Sequence, residues 1–231
     1  METSVTADAL IRALAREFRV VSLGGVAVIA HGLDRNTHAA DIWLDPLGSS
    51  ARWAEALKPF LYNQTSALPV AIAVWEPIPE DALAGVAEVD GVFRVNGLDR
   101  PLDIFRRPNE LDEKQFHEVW ERAKPMEDGT RLPDPIDLLV TKMLTDREKD
   151  LQDIAFLEAK VEKDYLARLP AALSEEAVFM LHRFLSPKVA AAAMQHPSAE
   201  VRSLAYKYLL EMEAEGNPFA RDILRSAAGF P

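Results

Sequence analysis

Cysteine is absent from all 231 residues. This excludes disulfides, zinc–thiolate centres and thiol nucleophiles, and it fits a reducing compartment. Basic side chains are in the minority: 26 Lys and Arg stand against 37 Asp and Glu, a net charge of −11. A surface of that sign does not attract phosphate backbones as a whole, so a nucleic-acid partner would need a local basic patch. Long apolar runs are missing too, since no stretch approaches the roughly 20 residues that span a bilayer. The segment METSVTADALIRALAREF has neither the apolar core nor the small-residue cleavage pattern of a signal peptide. We therefore expect a cytoplasmic protein. No repeat of fixed period and no low-complexity segment is present. What remains, 48% hydrophobic and 27% charged residues, is ordinary for a globular chain. The length suffices for one large domain or two small ones with a real core.

Leu10, Ile11, Leu14 and Phe18 recur at helical spacing behind the candidate caps Thr6 and Asp8. A β-branched run over 19–23 predicts a buried strand, broken by Gly24-Gly25. A short helix from Val26 to His31 follows, closed by Gly32. Glycines there let a backbone come close to a ligand, and a helix start offers free N–H groups. A plain tight turn also accounts for the pair. Ala40–Leu44 predicts a second strand, with Ala39, Asp41 and Trp43 on one face and Ile42 and Leu44 on the other. Further on we expect a helix over 51–62, a strand over 70–75 ended by Pro77 and Pro79, and a short helix or loop over 80–89. VFRVNGLDRPLDIF predicts a hairpin turned at Asn96-Gly97, with Pro101 opening its second strand. That strand puts Leu102 and Ile104 on one face and Asp103 and Phe105 on the other. Asp103 is then a carboxylate on a strand suited to burial, or a surface residue at a strand end.

From about Asn109 the chain reads as helical. One helix is expected over 112–123. Another opens at Pro133-Asp134-Pro135, with Asp as cap and Pro in the first position. Its stripe is Ile136, Leu139, Val140, Met143 and Leu144. A capping box over 145–148 opens a third helix, which carries Arg147, Lys149, Asp150 and Asp153 ahead of Ile154 and Leu157. Those charges form either a solvated face, with Lys149 and Asp153 an i,i+4 pair, or part of a site. Beyond residue 165 a small helical array is expected. Ser174, Ser186-Pro187 and Ser198 open its helices, and Gly216-Asn217-Pro218 stops the last of these. Val201, Leu204, Ala205, Tyr208 and Met212 form the buried stripe of the helix after Ser198. His31 and His38 are expected to be structural and Trp43 to be core.

The order of these features is more specific than any one of them. A strand, a glycine pair and a short helix precede Arg35, Thr37 and a strand with Asp41. A later strand carries Asp103, and Lys142 precedes a Lys-Asp pair. The succession resembles the nucleotidyltransferase superfamily, the DNA polymerase beta-like fold. Within it, the chain looks nearest to minimal nucleotidyltransferases and abortive-infection type toxins. The matching stretches are LGGVAVIAHGLDRNTHAADIWL, RPLDIF and IDLLVTKMLTDREKDLQDIAFL, spread over roughly residues 10 to 160. The resemblance implies an α+β fold, a mixed β-sheet with flanking helices over residues 1–110. A helical region over 111–231 would follow, of which 111–160 completes the active-site side and 165–231 is the array.

In that superfamily an NMP moves from an NTP to an acceptor. Two Mg²⁺ ions about 3.5–4 Å apart activate the attacking oxygen and the leaving pyrophosphate. By resemblance Asp41 and Asp103 are metal carboxylates, and Gly24 and Gly25 line the triphosphate. Arg35 and Thr37 flank the site, and Lys142 contacts phosphate, with Arg147 or Lys149 as helpers. The first metal carboxylate falls on Ala39, which has no oxygen to give. Asp45, at the far end of the strand, is not expected to replace it. Three readings of Ala39 stay open: an inactivating Asp-to-Ala substitution, a natural pseudoenzyme, and an active variant with a rearranged metal site. The expected function is Mg²⁺-dependent nucleotidyl transfer, toxin-like, to an RNA end such as tRNA or to a protein hydroxyl. A cognate antitoxin would be a partner. Activity is expected to be lost or slowed in this chain. The alternatives are a non-catalytic module that binds a nucleotide or a partner, and a transferase acting on a small cationic antibiotic, which the acidic charge favours over RNA.

Overall fold

The computed structural model describes residues 6–46, 48, 50–61, 70–72, 80–82, 85, 92–96, 98–109, 111–143 and 148–228. They fall into two compact units, Met1–Ile154 and Ala155–Pro231. The first is α+β. Its elements are α1 (Ala7–Glu17), β1 (Val20–Leu23), α2 (Gly24–Ala30), β2 (Ala40–Leu44), α3 (Ser50–Leu61), β3 (Val70–Ile72), β4 (Val92–Val95), β5 (Leu102–Phe105), α4 (Phe116–Arg122), β6 (Lys124–Pro125), β7 (Arg131–Leu132) and α5 (Pro135–Val140). A long helix, α6 (Glu148–Arg168), begins in this unit. The strands make one mixed sheet in the order β3-β4-β5-β2-β1-β7-β6. β2 runs antiparallel to β1 and parallel to β5, and β5 runs antiparallel to β4.

The period-two pattern of β2 decides what the sheet buries. Ala40, Ile42 and Leu44 join Val20, Leu102 and Ile104 in a core covered by Leu10, Ile11 and Leu14 of α1 and Trp53 and Leu57 of α3. Trp43 points the other way, fully buried, edge-on to Phe116 with ring centroids 5.0 Å apart. Its indole N–H donates to the Arg106 carbonyl at 2.9 Å, which satisfies the polar end of the ring. Thr6 caps α1 as expected, accepting from the Ala9 N–H.

Several expectations are corrected. The region after residue 110 is not helical throughout, because β6 and β7 form a short hairpin and β7 pairs parallel with β1 at Val21 and Arg131. Gly129, at φ +88, and Asp128, which accepts from the Thr130 N–H, make the turn. The first compact unit runs to Ile154, so residues 111–154 belong with the sheet. α5 stops at Val140. The Thr141 hydroxyl donates back to the Leu138 carbonyl, and Met143 is left 62% exposed rather than extending the stripe. Leu144 and the capping box at 145–147 lie outside the described residues, as do Gly97 and positions 73–79.

The second unit is helical: the remainder of α6, then α7 (Ser174–Arg183), α8 (Pro187–Ala193), α9 (Ala199–Ala214) and α10 (Pro218–Ala228). Leu157, Val161, Tyr165 and Leu169 are buried at helical spacing. Ala190, Leu209, Ala220 and Leu224 form a further cluster. Ser186 caps α8 by accepting from Val189, as the Ser-Pro pair predicts. Ser174 is the first helical residue rather than the cap, which is Leu173. Along α9 the buried stripe is Val201, Ala205 and Leu209, with Leu204, Tyr208 and Met212 only half-buried. Gly216, at φ +91, ends α9 as expected. No helix among the described residues is long and apolar enough to cross a membrane.

Candidate functional site

The carboxyl side of β1 and the facing starts of β2 and β5 open onto a cleft of about 410 Å³. It is lined by Gly24, Gly25, Arg35, Thr37, Ala39, Asp41, Asp103 and Lys142, which the sequence names as site residues. His38, Arg94 and Asp150 line it as well. Arg147 lies outside the described residues, and so does the Lys149 side chain. Asp41 and Asp103 sit opposite one another in the parallel register of β2 and β5. Ala39 precedes β2 and contributes only a methyl group.

The glycine pair has a definite reason. Gly24 adopts φ +57, a left-handed conformation, and a Cβ there would overlap the Asp41 carboxylate. A Cβ on Gly25 would come within 2.5 Å of the Thr37 hydroxyl oxygen and 2.8 Å of Arg35 Nη2. The space above the pair is therefore filled by the chain's own Asp41, Thr37 and Arg35. This is a close approach of side chain to backbone, more than the plain turn that also fitted the sequence.

Each cation of the cleft faces a carboxylate. Arg35 donates through Nε and Nη2 to both oxygens of Asp153, each at 2.7 Å. The Lys142 ammonium lies 3.0 Å from Asp150 and 2.8 Å from Asp153. Asp150 and Asp153 are buried, at 1% and 0% exposure, which overturns the reading of this stretch as a solvated face. Asp153 faces Arg35 and Lys142, and the Lys149 side chain expected as its i,i+4 partner lies outside the described residues. Arg94 was not anticipated. It is the cross-strand neighbour of Asp103, and its Nε and Nη2 donate to the two carboxylate oxygens at 2.6 and 2.7 Å. The hydrogen bonds that Arg94 donates to Asp103 hold the guanidinium pKa above its ordinary value against the cost of burial, and the charges of Asp103 and Asp41 add to this. The one available signal was an arginine inside the otherwise apolar run VFRV.

Asp45 pairs with Arg19 at 2.8 Å and takes no part in the cleft, as expected. His31 is structural, with Nε2 2.9 Å from the Pro133 carbonyl.

A two-metal centre needs several carboxylate oxygens turned to the ions, with Mg²⁺–oxygen distances near 2.1 Å. Here one of the three implied positions is a methyl group, and both oxygens of Asp103 accept from Arg94. The residues as they stand do not fit two Mg²⁺ ions. Among the described residues no group of three or more His, Asp or Glu side chains is placed to hold a metal ion. No protein-family model matches the chain, and no curated protein matches it either.

Proposed function

We propose that the chain is a nucleotidyltransferase-type protein whose cleft binds the polyphosphate of a nucleotide and whose transfer chemistry is lost or severely slowed. The observation that carries this reading is the row of Asp41 and Asp103 on neighbouring strands, facing a cleft that also holds Arg35, Arg94 and Lys142. The volume suits a nucleotide, since small-molecule clefts run from about 300 to 1,000 Å³. The arginines present planar forks that match phosphate oxygens, and lysine adds a point charge. Ala39 and the Arg94–Asp103 pair remove the carboxylate oxygens that two-metal transfer needs, so binding is the part of the ancestral function that survives. An RNA end or a protein hydroxyl would be the acceptor in an active relative of this design, and an antitoxin its partner.

Equilibrium titration of the whole chain with each of the four NTPs tests the reading, alongside incubation with α-labelled NTP, Mg²⁺ and cell extract. The expected result is saturable nucleotide binding with no labelled product. A folded protein that binds none of the four makes the cleft a protein-binding surface instead. Rapid labelling of an acceptor would show that Ala39 does not cripple the site.

A further inference from the structure

Arg94, Asp103 and Asp41 lie side by side in one row across β4, β5 and β2, each in register with the next. In-register neighbours present their side chains to the same face of a sheet. The Arg94 fork closes on both Asp103 oxygens, and the Asp41 charge also acts on it. Two neighbouring carboxylates on one sheet face are the arrangement that a bridging divalent cation would neutralise. In this chain a guanidinium engages one of the two, Asp103. Around the cleft Arg35 faces Asp153, Lys142 faces Asp150 and Asp153, and Arg94 faces Asp103, so that its cations are each held by the chain's own carboxylates.

We infer that Arg94, paired with Asp103 beside Asp41, is a built-in cation that supplies the positive charge a divalent metal would bring to these carboxylates, and that it keeps the cleft closed to such ions. This rests on reading Asp41 and Asp103 as the metal carboxylates of the scaffold. A divalent ion entering beside Arg94 would have to break two charge-assisted hydrogen bonds and then sit against a positive guanidinium, both unfavourable.

The test uses Mn²⁺ alone, followed by the loss of free-ion electron paramagnetic resonance signal, on the whole chain and on Arg94→Gln, Asp103→Asn and the double variant. The unchanged chain is expected to bind Mn²⁺ only weakly, with no effect of Asp103→Asn. Arg94→Gln is expected to gain a site at least about tenfold tighter, which adding Asp103→Asn removes. The inference fails if the unchanged chain already binds Mn²⁺ as tightly as Arg94→Gln at a site that Asp103→Asn abolishes. It fails equally if folded Arg94→Gln gains nothing. Should Arg94→Gln not fold, the comparison of the unchanged chain with Asp103→Asn decides: equal weak binding supports the inference and a loss overturns it. No nucleotide is present in these titrations, so their failure is separate from a failure of nucleotide binding.

Discussion

Asp153→Asn removes one negative charge from a site that water barely reaches, and its cost can be worked from the contacts. The Asp153 side chain is fully buried, and it accepts from Arg35 at 2.7 Å twice and from Lys142 at 2.8 Å. With Asp150 the group holds two cations and two carboxylates, so the variant leaves an excess positive charge inside. At these distances each pair has a gross attraction of roughly 6 kcal/mol for an effective dielectric near ~20, much of it offset by desolvation. Removing one partner of a buried pair costs about 3–5 kcal/mol in practice. Lys142 keeps Asp150 at 3.0 Å, and Arg35 is 16% exposed and can turn toward water. The lower end, about 3 kcal/mol, is therefore expected. Urea unfolding followed by tryptophan fluorescence reads this unit alone, because Trp43, Trp53, Trp75 and Trp120 all belong to Met1–Ile154. A double-mutant cycle with Arg35→Met should give a coupling of about 2 kcal/mol or more. A loss under about 1 kcal/mol together with zero coupling would refute the reasoning.

Gly24→Ala should cost about 2 kcal/mol or more, since it combines a left-handed backbone with overlap on Asp41, and clearly more than Gly25→Ala. Equal losses in the same urea assay would count against this account of the pair. Ala39→Asp alone should restore little label transfer, whereas Ala39→Asp with Arg94→Gln should exceed it by about tenfold or more. Full recovery from the single substitution would show that Arg94 does not block the site. In the second unit, the Lys188 hydrogen bond holds the Glu162 carboxyl below its ordinary value of 4.5, opposed by burial and aided by Ser186. Its contribution to stability is therefore present above pH 4.5 and is lost as pH falls through the lowered value. Far-UV circular dichroism with urea should find Glu162→Gln less stable at neutral pH, with the difference fading below pH 4.5. A difference that stays constant with pH excludes the linkage.

What was legible in the sequence depended on how far apart the interacting residues lie. The alternation of ADIWL settles which side chains of β2 enter the core, and that information is complete within five residues. That Asp41 and Asp103 each lie opposite the apolar face of their own strand was legible for the same reason, whereas the pairing of the two strands was not. The lysine and arginine roles were not, because a charge has no period. Arg35 reaches Asp153 across 118 positions, and nothing in either segment names the other. β6 and β7 escaped because two residues each are too few to show any period.

The same distinction bears on function. A motif records which residue types are present, whereas the chemistry of a carboxylate is set by whichever cation faces it. By the resemblance alone, Asp41 and Asp103 would be metal ligands, Lys142 a phosphate contact and Arg35 a residue flanking the site. Read with their partners, Asp103 belongs to Arg94, and Asp150 and Asp153 belong to Lys142 and Arg35. The methyl group at position 39 and the guanidinium at position 94 act in the same direction. Each lowers the negative charge that would hold a metal, and either one alone would leave the other half of the site unbalanced. For that reason the two positions have to be changed together when the cleft is tested for nucleotide transfer.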